Sequence, residues 1–173
     1  MNEVIECLLT RRSVRSYLPK QVEEEKLQEI LLAGTYAASG MGRQSAKIVV
    51  LQDPAQIAQV ERMNASILGN PDSHPFYGAP TVCVVFADTN AGTWVEDGSL
   101  AIGNLMAAAH SLGVSSCWIH RAREEFSSAE GKALMQNWGV GAQYAGVGHC
   151  ILGYAAAEPA PAKPRKADFI IRA

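Results

Sequence analysis

Residues 97–112 constrain the fold of this chain more than any other segment, because they predict a helix that is apolar on nearly every side. Small and large apolar residues are mixed throughout the segment: Ala101, Gly103, Ala107, Ala108 and Ala109 lie among Leu100, Ile102, Leu105 and Met106. A helix without a polar face is buried rather than laid on a surface. The pattern therefore predicts either the central helix of one domain or a helix shared with a second subunit.

The other periodicities predict helices and strands spread along the whole chain. Helical patterns begin at a cap on Asn2, cover residues 22–38, run from Asp53-Pro54 to Ile67, and cover residues 127–138. Apolar or β-branched runs predict strands at residues 47–51, 81–87, 114–119 and 144–152, and a strand-like end at residues 168–172. With 48% hydrophobic residues among 173, the chain has room for a proper core. We expect a single domain over residues 1–173.

The charge balance and the cysteines exclude several classes of function. The formal net charge is −2 at pH 7, so a broad basic surface for nucleic acid is not expected. Cys7, Cys83, Cys117 and Cys150 are far apart and form no CxxC pair, which argues against a zinc site and a disulfide framework. The N-terminus lacks an apolar signal core, and no apolar run reaches the roughly 18 residues of a membrane span. We therefore expect a cytoplasmic protein with reduced thiols, no metal and no membrane partner.

A basic cluster directly follows the first predicted helix. Residues 11–17 read RRSVRSY and carry three guanidinium groups and two serine hydroxyls. Arginine offers planar, permanently charged donors that suit phosphate, and each good contact is worth roughly 1.5–3 kcal/mol. The cluster predicts a site for a small anion. The alternative is a solvated helix end, since basic residues in a last turn complement the helix dipole.

Two loops bear on the kind of ligand. Residues 69–80 contain three prolines and two glycines, and a connection of this length predicts a binding loop or lid. The glycines at residues 139–148 lead into a predicted strand, whereas a dinucleotide fingerprint leads from a strand into a helix. We therefore reject a Rossmann-type site.

The histidines give a weaker signal. His120 follows a predicted strand and is either a candidate proton donor or an ordinary surface residue. His110 and His149 lie on apolar elements, where we expect them to be hydrogen-bonded core residues. Together with His74 they show no metal-ligand spacing.

The order of these motifs resembles that of the nitroreductase family of flavin-dependent oxidoreductases, over nearly the whole chain. The basic cluster at residues 11–17 is similar to the family's RRSxRxF motif. Residues 38–44, ASGMGRQ, are similar to its APSxxNxQPW loop, and residues 112–119, LGVSSCWI, to its LGLGSCWIG segment. Residues 152–154 and 163–166 resemble its LGYP and KPRK ending. Each motif alone is weak, but four in the same order make the resemblance specific.

The resemblance implies an α+β fold, with a central mixed or antiparallel sheet of four or five strands flanked by helices. It also implies a homodimer with an exchanged C-terminal arm and two FMN sites at the interface. Bound FMN would pass electrons by a ping-pong scheme from NAD(P)H to a small acceptor such as a nitroaromatic or a quinone. Since the flavin carries the chemistry, no protein nucleophile is required, and His120 is the one candidate proton donor.

The resemblance also implies which residues hold FMN. They are Arg11, Arg12, Ser13, Arg15, Ser39, Met41, Gln44, Trp118, Ile119, His120, Arg121, Lys163 and Arg165. Basic residues from both chain ends would neutralise the phosphate, and Arg15 would stabilise negative charge on the reduced ring. A backbone N–H within residues 119–121 would face the flavin nitrogen that accepts hydride, and the loop at residues 38–44 would approach the flavin of the neighbouring subunit. Trp118 has a second interpretation as a core aromatic residue.

The chain departs from the family pattern in one loop and at one strand end. Gln44-Ser45-Ala46 replaces Gln-Pro-Trp, the asparagine of that loop is missing, and His120 stands where glycine or glutamate is expected. Two alternatives therefore stay open. One is a non-catalytic or regulatory module that holds FMN without turnover, and the other is a flavin-dependent dehalogenase or flavin-consuming relative.

Overall fold

The computed structural model describes residues 1–172, which form six α-helices and four β-strands. The helices are α1 (Glu3–Thr10), α2 (Glu24–Thr35), α3 (Pro54–Ile67), α4 (Trp94–Ser111), α5 (Ala122–Ser127) and α6 (Ala129–Asn137). The strands are β1 (Ala46–Leu51), β2 (Thr81–Asp88), β3 (Ser115–Ile119) and β4 (Tyr144–Gly153). Two predicted caps are confirmed: the Asn2 side chain accepts from the Ile5 N–H at 3.0 Å, and the Asp53 side chain accepts from the Gln56 N–H at 2.9 Å.

The strands form one antiparallel sheet in the order β1-β2-β4-β3. β2 and β4 occupy the centre, and Cys83 lies directly opposite Cys150 in their shared register. The register shifts between Val85 and Phe86, where β4 contributes an extra residue. An antiparallel sheet of four strands with helices on both faces confirms the predicted α+β class.

The core consists of two layers separated by this sheet. β2 is buried over almost its full length because its run of apolar residues suits a strand covered on both faces. Val82, Val84 and Phe86 pack with α3, α5 and α6, and the intervening residues of the strand pack with α2 and α4. β3 is an edge strand of this sheet and, like the other strands, lies between the two helical layers.

Helix α4 packs on the sheet and along α2, as its apolar sequence predicts. Ala101, Ile102 and Leu105 are fully buried. Leu100 remains about half exposed at 49%, and Val95 is exposed as well. The helix is therefore covered on more than one side within this chain, and part of its apolar surface is left without a neighbour among residues 1–172.

Some predicted boundaries were wrong. α5 is a separate short helix that the sequence did not indicate, and Ser128 rather than Ser127 caps α6, accepting from the Gly131 N–H at 3.0 Å. The Ser127 hydroxyl donates instead to the Glu124 carbonyl oxygen at 2.9 Å. α2 ends at Thr35 rather than at residue 38. The strand-like end at residues 168–172 is not paired with any strand of the same chain within the described residues.

Several apolar surfaces lack a partner within residues 1–172. α1 buries none of its residues, although Val4, Leu8 and Leu9 form an apolar stripe. Residues 157–172 form an exposed arm, and Phe169 within it is 76% exposed. The outer edge of β1 carries no further strand in the described part of the chain. None of the helices within residues 1–172 has the length and hydropathy to cross a membrane.

Candidate functional site

The basic cluster runs alongside β3 after α1 ends. The Val14 N–H donates to the Ser116 carbonyl oxygen at 3.1 Å, and Ser13 forms a parallel bridge with Ser116. Further on, Tyr17 forms an antiparallel bridge with Ala155, and its buried hydroxyl donates to the Val14 carbonyl oxygen at 3.0 Å. Because buried Val14 and Tyr17 anchor the segment, the side chains between and before them are held against the edge of the sheet.

Arg12 forms hydrogen bonds with carbonyl groups at the C-terminal end of the first helix. Its Nη1 donates to the Leu9 carbonyl oxygen at 2.8 Å and to the Arg11 carbonyl oxygen at 2.7 Å. Carbonyl groups in the last turn of a helix have no partner within the helix, and a basic side chain satisfies them while complementing the dipole. The helix-end interpretation of the basic cluster therefore applies to Arg12.

Arg11 and Ser116 instead line a cavity of about 260 Å³. Arg11 Nη1 and Ser116 Oγ are both buried, and neither has a hydrogen-bond partner within residues 1–172. Leaving a buried donor unsatisfied costs about 1–3 kcal/mol, and more for a charged group. The arrangement is therefore suited to an anion with several acceptor oxygens, which the unpaired guanidinium nitrogen would bind.

His110 lies in the same cavity, opposite the end of α1. Its Nε2 is 2.8 Å from the Thr10 hydroxyl, and the residue is only partly buried. Burial lowers the pKa of His110, and the nearby positive charges of Arg11 and Arg12 lower it further. His110 is thus hydrogen-bonded as predicted, but it lines a cavity and is not a core residue.

A second cavity of about 320 Å³ lies further along the same two segments. It is lined by Arg15, Trp118, Ile119, His120 and Arg121, together with His74 and Tyr77 of the long loop. Arg15 follows Val14 of the first cavity by one residue, and Trp118 follows Ser116 by two. Neighbouring residues of the same two segments therefore line both cavities.

The loop at residues 69–80 forms part of the wall of this second cavity. Phe76 is buried against the His149 ring, with 5.2 Å between ring centroids, and its N–H donates to the Glu61 carboxylate at 2.8 Å. Tyr77 has a positive φ of 54° and is followed by Gly78 at 76°. The loop is thus anchored by one aromatic residue next to the residues that face the cavity.

The remaining predicted site residues lie elsewhere in the single chain. Ser39 and Gln44 line a third cavity of about 340 Å³ between α2, β1 and α4, and Met41 beside it is 90% exposed with a φ of 55°. Lys163 and Arg165 are exposed on the C-terminal arm and line none of the three cavities. One chain therefore brings Arg11, Arg12, Arg15 and residues 118–121 to these two cavities, whereas Ser39, Met41, Gln44, Lys163 and Arg165 line neither of them.

Asp97 organises the loop that departs from the family pattern. Its carboxylate is buried and accepts from the Ser45 hydroxyl at 2.6 Å and from the Gly40 N–H at 2.9 Å. Burial by itself raises the pKa of Asp97, but the hydrogen bonds from Ser45, Gly40 and Thr93 outweigh it and lower the pKa overall. Ser45 thus takes part in the fold at the position where the family motif has proline.

The sequence did not single out three residues that the structure brings to these cavities. Ser116 and His110 line the first cavity, and His74 lines the second. Ser116 lies within the segment that resembles LGLGSCWIG, but a buried serine hydroxyl has no local signature. Trp118 fits both of its interpretations, because it packs against Gly148 and also lines the second cavity.

Comparisons with known proteins agree with this architecture. The model of the nitroreductase family matches residues 8–77. A Methanothermobacter thermautotrophicus protein, provisionally named NADH dehydrogenase/NAD(P)H nitroreductase, is 31% identical to this chain. The match covers 67% of this chain and 60% of that relative's length. An Archaeoglobus fulgidus protein of the same provisional name is 30% identical over 69% of this chain and 68% of its own.

A solved structure extends the likeness to the whole fold. The crystal structure of a Bacteroides fragilis nitroreductase with bound FMN superposes with a TM-score of 0.91, at 30% identity and with 100% of both chains covered. The resemblance predicted from the four motifs is confirmed by these matches. The chain therefore belongs to the nitroreductase family.

Proposed function

We propose that this chain binds FMN and acts as an oxidoreductase that passes electrons from NAD(P)H to a small-molecule acceptor such as a nitroaromatic or a quinone. One observation carries the proposal. Arg11 Nη1 and Ser116 Oγ are buried without a partner in residues 1–172 and line one cavity, while Arg15 and residues 118–121 of the same two segments line another. The Bacteroides fragilis relative, which covers the full chain, was crystallised with FMN.

The first cavity suits the phosphate of the cofactor. A guanidinium nitrogen that is buried and unpaired is stabilised by a phosphate oxygen, and charge-assisted bonds of this kind are roughly twice as strong as neutral ones. The unpaired Ser116 hydroxyl offers a further donor on the same side. Ser13 lies next to it in the parallel bridge with Ser116, so its backbone is held close to the same position.

The second cavity suits the ring. When bound, FMN supplies the hydride and electron transfer, so the protein has to bind it, orient it and complement its charge. Arg15 contributes a positive charge that favours the reduced, anionic ring. Ile119 and Arg121 line this cavity at and just after the end of β3, and exposed His120 between them is the candidate proton donor to the acceptor. The nicotinamide donor and the acceptor would use the same space in turn.

The functional unit we propose is a homodimer with an exchanged C-terminal arm. The apolar stripe on α1, the exposed arm and the bare edge of β1 would all be covered by a second copy. Lys163 and Arg165 lie on this arm, so exchange would carry their positive charges to the phosphate site of the partner. The loop that carries Ser39, Met41 and Gln44 would approach the flavin of the neighbouring subunit across the same dimer interface.

Flavin absorption tests the proposal directly. The purified protein should be yellow, with absorption at about 450 nm as expected for a bound flavin, and anaerobic NADH or NADPH should bleach it. Addition of a quinone or a nitroaromatic should then restore the colour. A preparation that stays colourless with excess FMN would overturn cofactor binding. A yellow protein that neither nucleotide bleaches would indicate the alternative of a module that holds FMN without turnover.

A further inference from the structure

Three fully buried polar residues lie behind the second cavity and outside both proposed cofactor subsites. They are Asn64 on α3, Glu125 on α5 and His149 on β4, and each is 0% exposed. Buried polar groups of this kind are costly unless they are hydrogen-bonded to one another or to the backbone. We name them the Asn64–Glu125–His149 network.

Asn64 connects the end of β3 to α5. Its Nδ2 donates to the His120 carbonyl oxygen at 2.8 Å and also to the Glu125 carboxylate. Its Oδ1 accepts from Arg121 Nε at 3.0 Å. Every polar atom of this side chain is therefore used to hold residues at or just after the turn that leaves β3.

His149 completes the network from β4. Its Nδ1 is 3.2 Å from the Ile119 carbonyl oxygen, and its Nε2 is 2.7 Å from the second carboxylate oxygen of Glu125. The Ile119 oxygen is only an acceptor, so Nδ1 carries the proton of that bond. Both of these facing atoms are fully buried, and neither has another polar partner within residues 1–172.

The network holds a short segment in an uncommon conformation. Arg121 has a φ of 81° and a ψ of 4°, a left-handed geometry that arginine rarely adopts and that persists only when surrounding contacts enforce it. The three residues 119–121 line the second cavity. Phe76 of the loop that also forms this cavity packs on the ring of His149. The same buried histidine thus supports two walls of the cavity.

We propose that the Asn64–Glu125–His149 network is a positioning device that sets the backbone of residues 119–121 in the orientation required to bind the flavin ring. The proposal rests on the proposed function, because it assigns the second cavity to the ring. It adds three positioning residues, none of which lines the cavity itself. They act on this segment through the hydrogen bonds to the carbonyl oxygens of Ile119 and His120 and through the hydrogen bond from the Arg121 side chain.

The test compares two substitutions on the same helix. Asn64→Leu removes all three hydrogen bonds at nearly constant volume, whereas Met63→Ala truncates a neighbouring buried side chain that takes no part in the network. Amide hydrogen exchange of the apo-protein reports the order of residues 119–121, and FMN titration followed by flavin fluorescence reports affinity. Both variants are expected to lose global stability, so exchange is compared after normalisation to the central strand β2.

Asn64→Leu should raise exchange at residues 119–121 selectively and weaken FMN binding by about tenfold or more, because binding must then order a segment that the three lost hydrogen bonds had held. Its flavin absorption bands should also shift. Met63→Ala should leave the normalised exchange of this segment and the flavin bands as in the wild-type protein. If the two variants behave alike in exchange and in affinity, the positioning role is wrong.

A second variant and the exchange experiment on the apo-protein distinguish a wrong proposal from a variant that does not fold or a protein that does not bind FMN. Should Asn64→Leu fail to fold, Asn64→Ser is used, since its hydroxyl can keep one of the three bonds. It should show the same selective change in smaller measure, and an unchanged segment would overturn the proposal. If the wild-type protein does not bind FMN, the proposed function fails, while the exchange experiment on the apo-protein still decides whether the network orders residues 119–121.

Discussion

Arg11 and Ser116 line one cavity, and each places a buried polar atom there that has no hydrogen-bond partner within residues 1–172. The neighbouring Arg12 differs, because its guanidinium is already bound to carbonyl oxygens at the end of α1. The basic cluster therefore divides between two tasks. Arg12 stabilises the helix end, and Arg11 is left available for a ligand.

Arg11→Met and Arg12→Met separate these tasks. Because a charge-assisted contact contributes roughly 1.5–3 kcal/mol, Arg11→Met should weaken FMN binding about 10- to 100-fold. Arg12→Met should mainly lower the free energy of unfolding, by about 1 kcal/mol, through the loss of helix-end hydrogen bonds. Fluorescence titration with FMN and urea unfolding measure the two effects. Equal loss of FMN affinity in both variants would contradict the division.

Removal of the C-terminal arm should convert the homodimer that we propose into a monomer. A chain that ends at residue 155 lacks the exposed apolar residues of the arm, including Phe169, which we expect to be covered by the partner. Light scattering after size-exclusion chromatography gives the molar mass. As a control, Lys163→Ala/Arg165→Ala should remain dimeric and bind FMN more weakly, since it removes only positive charge. A truncated chain that stays dimeric would exclude arm exchange as the basis of assembly.

Asp97→Asn should lower stability in a pH-dependent way. Hydrogen bonds hold the pKa of Asp97 below that of the unfolded chain, which is about 3.9. The ionised carboxylate thus stabilises the fold above about pH 4, and this contribution is lost as the pH falls further. We expect Asp97→Asn to lower the free energy of unfolding by about 1–3 kcal/mol at pH 7. The difference from the wild-type protein should shrink at pH 3, as measured by urea unfolding at both pH values.

Gly98→Ala should destabilise the contact between α4 and β4. A Cβ at this position would lie 2.6 Å from a Val147 methyl carbon, which is too close for either element to accommodate without moving. Overpacking of this kind costs about 1–3 kcal/mol, despite the better helix propensity of alanine. Ser99→Ala on the next residue should change stability by less than about 0.5 kcal/mol. Thermal unfolding of the two variants measures the difference. Equal melting temperatures would show that β4 moves to accommodate the added methyl group.

Thiol labelling should distinguish Cys7 from the other cysteines. Burial raises the pKa of the Cys83 thiol to about 12 and that of Cys150 well above its ordinary value, and Cys117 is also buried. Thiolates are the reactive species, so only partly exposed Cys7 should react with an aromatic disulfide at pH 8. The Cys7→Ser variant should be unreactive until denaturant is added. Rapid labelling of this variant under native conditions would show that the sheet opens.

The positions of the strands and of most helices were predictable from local patterns. β2 is a continuous apolar run, and it lies in the middle of the sheet with both faces covered. α5 escaped prediction because it begins after Arg121 in a left-handed conformation, and the Arg121 side chain donates to Asn64, which is distant in the sequence. The end of α2 was placed three residues too late for a simpler reason, since helix ends carry little sequence signal.

The amino-acid order by itself determined the strands, most of the helices that cover them and the basic segment after the first helix, because each follows from periodicity and side-chain chemistry within a few residues. Only the tertiary structure decided which polar groups are paired and which are left for a ligand. Asn64 and Glu125 are 61 positions apart and meet only after α3 and α5 have packed on the sheet. Arg11 is unpaired for the same reason, since the partners available to a buried guanidinium depend on which distant elements the fold places around it.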